Sequence, residues 1–154
     1  NCNANSKEID ITVDAQKIMS CIIRAGERFG MLTIIDILRG SKNEKIRNSH
    51  LDTLTTYGIM ETVPKEYIRQ TREYVSGQRE YMRNIMKMMG YVVFASKANY
   101  LFFKGRPGLE KEALEAGFLI RDCQNYEGLS EGFYRIAVRT KEENERLITW
   151  LGRL

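Results

Sequence analysis

Arg135 and Arg139 stand in the stretch FYRIAVRT, residues 133–140, where Tyr134, Ile136 and Val138 alternate with them. Alternation with period two predicts a strand with the three apolar residues on one face and both arginines on the other. A guanidinium is planar, permanently charged and able to hold a carboxylate or phosphate through two parallel hydrogen bonds. Two of them aimed the same way suit an anionic substrate; the competing reading is a pair of solvated strand arginines. A second basic cluster, Arg39, Lys42, Lys45 and Arg47, has only Glu44 close by in sequence. Such side chains touch nucleic-acid phosphates, or form an ordinary polar loop. No metal is expected: Cys2, Cys21, Cys123 and His50 show no zinc-ligand spacing. Free or buried thiols are the expectation, and no residue is assigned as catalytic.

The elements that must carry these side chains follow from hydrophobic periodicity. Ile18, Cys21, Ile22, Ala25 and Phe29 form a helical stripe, with Asp14 as its N-cap and Gly30 as its stop. Met31, Ile34, Ile35 and Leu38 form a second, shorter one ending at Gly40, so the pair looks like a helix-turn-helix. The pattern fades in SKNEKIRNSH and returns at Leu51 and Leu54. From Pro64 to Met89 the spacing predicts one long helix. Tyr67, Tyr74, Tyr81 and Met88 repeat every seven residues, and Val75, Met82, Met86 and Met89 widen the stripe. Core packing is the expected role of this stripe, with Glu66–Arg69 and Glu80–Arg83 pairing on the outer face.

After Gly90 come two short strands, YVVF and ANYLFFK. Pro107 opens a short helix holding Leu109, Ala113 and Leu114, and FLIRD and FYRIAVR give two more strands. Thr140 and Glu143 form the T-x-x-E capping box of a last helix whose inner face is Leu147, Ile148, Leu151 and Leu154. The expected fold class is α+β. N-terminal helix-turn-helix-like helices precede a long helix and a small four-stranded sheet with helices on one face.

The chain has 154 residues, a net charge of +4 and 43% hydrophobic residues, ordinary for a soluble globular protein. No concentrated charge announces a nucleic-acid binder by itself, and no apolar run approaches the roughly 20 residues of a membrane helix. A cytoplasmic location, no membrane partner and possible homo-oligomers through the open sheet face are the expectations.

The segments DAQKIMSCIIRAGERFG, IIDILRGSKNEKI and LDTLTTYGIM, over roughly residues 8–60, resemble part of the RQC winged-helix domain of RecQ DNA helicases. The opening NC resembles the tail of the zinc cluster that precedes that domain. The resemblance implies DNA as a partner, and a further helix and a β-hairpin wing, neither of which is readable from the residues that follow. With no G-x-x-x-x-G-K-[ST] phosphate loop, helicase activity is not expected.

SKANYLFF, LIRDCQNYEGL and GFYRIAVRTKEENERLI, over roughly residues 65–154, resemble the small domain of fold-type-I pyridoxal-phosphate enzymes. The likeness is greatest to the histidinol-phosphate aminotransferase and threonine-phosphate decarboxylase group. It implies that Arg135 binds a substrate α-carboxylate, with Arg139 and Arg121 as helpers on a phosphate. It also implies a large domain that supplies the Schiff-base lysine and the acid facing the pyridine nitrogen. Lys97, in ASKANY, belongs to the small-domain motif and does not replace that lysine.

Two segments are therefore expected. Residues 1–62 form a partial RQC-like helical part and residues 63–154 a small-domain-like part, joined near GIMETVPKEY. The expected chain is a folded chimera without catalysis of its own and without bound pyridoxal phosphate. Its N-terminal helices would cover apolar surface of the C-terminal part in a shared hydrophobic interior. The rival expectations are a DNA-binding module with weak RQC-type duplex contacts and an aminotransferase-family protein completed by a large domain.

Overall fold

Four antiparallel strands form a sheet in the order β1-β2-β4-β3: β1 Val92–Val93, β2 Tyr100–Lys104, β3 Arg121–Asp122 and β4 Phe133–Ala137. The computed structural model describes residues 11–154; the start of the RQC-like stretch, the NC opening and Cys2 lie outside the described residues. The central pair runs from Tyr100 opposite Ala137 to Lys104 opposite Phe133. Leu101, Phe103, Tyr134, Ile136 and Val138 are buried on one face, as alternation requires. The edges are short: β1 meets β2 only at Val92 and Val93, and β3 meets β4 only at Arg121 and Asp122.

The helices are α1 (Thr12–Arg24), α2 (Met31–Leu38), α3 (Glu44–Asn48), α4 (Lys65–Met88), α5 (Leu109–Glu115) and α6 (Lys141–Leu151). The apolar side chains fall into two clusters rather than one shared interior. Val75, Met82 and Met86 of α4 pack with the buried sheet face and with Leu147, Ile148 and Leu151 of α6. Ile68, one turn from the other end of α4, packs with Ile18, Ile34, Ile37, Leu38 and Ile46 of the N-terminal helices. Ala15 of α1 joins the sheet-side cluster. The long helix is thus a beam common to both clusters.

Several elements depart from the sequence expectations. Helix α1 starts at Thr12 with no side-chain cap. Asp14 instead receives hydrogen bonds from Lys17 Nζ at 3.3 Å and the Tyr67 hydroxyl at 3.0 Å, tying α1 to α4. The helix ends at Arg24, not at Gly30. Gly26 and Glu27 both turn through the left-handed region, with φ of 74° and 57°, and Gly30 becomes the N-cap of α2. Helix α3 lies in the polar stretch where no stripe is visible, because it buries one residue, Ile46. Its start is fixed by the Asn43 side chain, which accepts from the Ile46 N–H at 3.0 Å. On α4 the buried seam is Ile68, Thr71, Val75, Met82 and Met86, whereas Tyr74, Tyr81 and Met88 are exposed. Tyr74 accepts the Lys141 N–H at 2.8 Å, so it serves as a peg for α6 rather than as core. Leu114 and Leu154, expected inside, are also exposed.

The capping box of α6 forms as expected, and the Glu66–Arg69 and Glu80–Arg83 pairs close at 2.6 Å each. Under the sheet, the Tyr134 hydroxyl lies 2.9 Å from the Arg106 carbonyl and 3.0 Å from a Glu110 carboxylate oxygen. Burial and the Glu110 carboxylate push this phenol up to about 12, from near 10. The folded form therefore keeps its proton where the unfolded chain loses it. Stability is complete below pH 10 and falls as the pH climbs from 10 toward 12, by about 2–3 kcal/mol at most. Urea midpoints on either side of this window will show the loss in the native chain, and Tyr134→Phe will flatten it.

Candidate anion-binding cleft

Strand β4 delivers Arg135 to the open face of the sheet, opposite Phe102 of β2. Its guanidinium carbon lies 3.7 Å from the centre of the Tyr100 ring, and Nη1 donates to the Tyr126 hydroxyl at 3.4 Å. The stacking holds the guanidinium plane flat and leaves its edge for an acceptor. Its Nε is buried and meets no acceptor. A buried donor left unmatched costs roughly 1–3 kcal/mol, so such an atom needs an explanation.

Around Arg135 opens a cleft of about 880 Å³. The segment Ala95–Ala98 after β1, the loop from Cys123 to Leu129, Ile23 near the end of α1 and Glu27 in the turn that follows it all contribute to it. Arg83 of α4 also lines it, and Arg83 Nε is the second buried guanidinium nitrogen without an acceptor. Its Nη2 is committed to Glu80 at 2.6 Å. Lys97 reaches into the cleft but is ion-paired with Glu27. Burial pushes the Cys123 thiol up, opposed by the nearby Arg135 and Arg121 charges.

The predicted residues do not all converge. Arg121 pairs with Arg135 in the sheet register, and its guanidinium stands 5.8 Å over the Tyr126 ring, beside the cleft. Arg139 lies two residues past the end of β4 and is exposed. Its Nε bonds Glu143 of α6 at 2.9 Å, and Arg139 does not line the cleft around Arg135. In the N-terminal cluster, Arg39 Nη1 donates to the Val63 carbonyl and Lys45 Nζ to Thr33 Oγ1 at 2.8 Å. Lys42 and Arg47 are exposed and belong to no ion pair among the described residues. Sequence reasoning missed Arg83, Tyr100 and Tyr126 as site residues. The signal for Arg83 was its place next to the buried seam residue Met82; Tyr126 sits in the CQNYEGL motif already singled out.

Fold and cleft together define an α+β protein in which a helical part and a small arginine-bearing sheet share one long helix. The chain belongs to the RQC domain family, which matches residues 5–106. That match runs past residue 60 and spans α4, β1 and β2. The ATP-dependent DNA helicase RecQ of Bacillus subtilis is 30% identical over 129 residues, 84% of this chain and 22% of that protein. A protein of Caldanaerobacter subterraneus subsp. tengcongensis assigned as a threonine-phosphate decarboxylase is 31% identical over 131 residues, 82% of this chain and 35% of that protein. The chain therefore spans about a third or less of the length of either relative. The crystal structure of the histidinol-phosphate aminotransferase from Clostridium acetobutylicum superposes with a TM-score of 0.56 at 20% identity, covering 72% of this chain and 38% of that one. The shared feature there is the fold. Both sequence likenesses cover more than four-fifths of the chain, so each crosses the stretch GIMETVPKEY.

Proposed function

We propose that the chain joins an RQC-type helical part to an aminotransferase-type small sheet, binds a small anion in the Arg135 cleft, and catalyses nothing by itself. The observation that carries this is that Arg83 and Arg135 both line one cleft and each has a guanidinium Nε without an acceptor. A carboxylate or phosphate oxygen supplies what both lack. Arg135 is the position that the small-domain resemblance gives to the substrate carboxylate.

The cleft does not fit pyridoxal phosphate. Among the described lining residues the one lysine is Lys97, and it is ion-paired with Glu27. Lys97 belongs to the small-domain motif rather than to the Schiff-base position, and the acids in the lining are Glu27, paired with Lys97, and Glu127. Cofactor-dependent transamination or decarboxylation is therefore assigned to proteins that possess the large domain, not to these residues alone. A cofactor absorbance band that survives dialysis of the purified chain would overturn this part of the reading.

The anion site is tested by calorimetric titration with O-phospho-L-threonine, which carries both a carboxylate and a phosphate. Arg135→Ala is expected to weaken binding about ten- to hundred-fold, the worth of a charge-assisted bidentate contact. Equal affinity in the native chain and the variant would remove Arg135 from the site. A second reading, a DNA-binding module with weak duplex contacts, rests on the similarity to RecQ and on the two uncommitted cations, Lys42 and Arg47. Arg39 and Lys45 are already engaged with the Val63 carbonyl and Thr33 Oγ1 and contribute less to it.

A further inference from the structure

One ion pair in the wall of the Arg135 cleft joins the two parts of the chain. Lys97 belongs to the segment after β1, and its partner Glu27 to the turn between α1 and α2. The same two side chains also line a smaller cavity of about 200 Å³, with Ile22, Phe29, Ile34 and Arg72. The pair therefore stands between two open spaces, with neither head packed into a core.

The backbone beneath each partner is fixed without the pair. The Gly26 N–H donates to the Ile23 carbonyl at 2.9 Å and the Glu27 N–H to the Ile22 carbonyl at 3.0 Å, which closes the turn. Arg79 Nη1 donates to the Ala98 carbonyl at 2.8 Å, which holds the other segment on α4. Glu27 sits in the left-handed region, with φ of 57°, where glycine or asparagine is more comfortable. Nothing in the turn itself calls for a carboxylate there.

Charge explains it better. Lys97 is 68% exposed and Glu27 36%. A pair so open to water contributes little, because solvent competes for both heads. A phosphate in the cleft offers Lys97 a charge-assisted bond beside Arg83 and Arg135, which line the same space. Glu27 also has somewhere to go. Arg72 lines the smaller cavity with it and takes part in no ion pair among the described residues. The other acid lining the cleft is Glu127.

We infer that Glu27 holds Lys97 in check, and that an anion with a second acidic group draws Lys97 away while Glu27 turns to Arg72. Arg135 fixes the first acidic group and Lys97 the second. The turn of the helical part thereby decides which anions the sheet retains. This deepens the anion reading of the cleft and rests on it.

The test is calorimetric titration of the whole chain with O-phospho-L-threonine and with L-threonine, which lacks the phosphate. Lys97→Gln is expected to weaken phosphothreonine binding about ten-fold and to leave threonine within about two-fold, the mark of one lost charge-assisted bond. Glu27→Gln frees Lys97 and should strengthen phosphothreonine binding about two- to five-fold, the worth of an exposed ion pair. In a Lys97→Gln background the same Glu27→Gln change should give almost no gain, because its effect passes through Lys97. Equal gains in both backgrounds would mean that Glu27 acts by its charge alone, and would overturn the exchange. So would binding of both ligands that is lost in Arg135→Ala but keeps its selectivity in Lys97→Gln, a result that leaves the anion reading standing. A native chain that takes up neither ligand would sink the anion reading and the exchange together. Urea midpoints near the native value will verify that the glutamine variants fold.

Discussion

Phe103→Ala is expected to destabilise the chain by about 3–5 kcal/mol, the range for a large aromatic removed from a packed core. Phe103 is fully buried, packs edge-on against Tyr91 with ring centres 5.7 Å apart, and lies 5.7 Å from Tyr134. Since domains of this size have net stabilities of about 5–15 kcal/mol, much of the population will be near its unfolding midpoint in mild urea. The sharper expectation concerns the distant cluster. Cys21 is buried among the N-terminal helices, while Cys123 is buried beside the sheet. If α4 couples the two clusters into one unit, labelling of both thiols in a Cys2→Ser background will accelerate together, by about a hundred-fold or more. Acceleration of Cys123 with an unchanged Cys21 would mean that the two ends of α4 unfold separately.

Asn144→Ala is expected to cost about 2–4 kcal/mol, far above the usual effect of a polar replacement on a helix, because it strands backbone and side-chain partners together. Asn144 is 1% exposed. Its Oδ1 accepts the Arg139 N–H at 2.9 Å, and its Nδ2 donates to the Arg139 carbonyl at 2.9 Å and to Gln78 Oε1 at 3.0 Å. One amide thus fastens the end of β4 to both α6 and α4. Asn144→Leu, which restores volume but not hydrogen bonds, should be no more stable than Asn144→Ala. Chemical denaturation giving a loss under about 1 kcal/mol for both would show that water replaces these bonds easily.

What could be read in the chain beforehand was what depends on near neighbours. The Thr140–Glu143 box, the Leu147–Ile148–Leu151 face and the alternation through Tyr134, Ile136 and Val138 are local patterns, and each is present. The seam of α4 was misplaced because a seven-residue count drifts around a straight helix by about 20° per repeat. Tyrosines also satisfy their hydroxyls best at a rim, as Tyr67 and Tyr74 do. Helix α3 was invisible because a helix with one buried side chain has no period; only its Asn43 cap marked it. That Arg135 faces away from the buried side of the sheet was legible from its strand. Arg83 was not, because it comes from 52 positions earlier and meets Arg135 only through the tertiary fold. The Arg139–Glu143 pair was not anticipated, because a sequence does not announce that the strand stops two residues sooner.

Each margin of the sheet offers a neighbouring molecule just two residues, Val92–Val93 on one side and Arg121–Asp122 on the other. A foreign backbone that aligned there would gain at most a couple of hydrogen bonds before running off the end, and one margin would greet it with a charged pair. Concentrated solutions of the folded chain are thereby guarded against ribbon-like growth, even though the sheet displays bare aromatic rings.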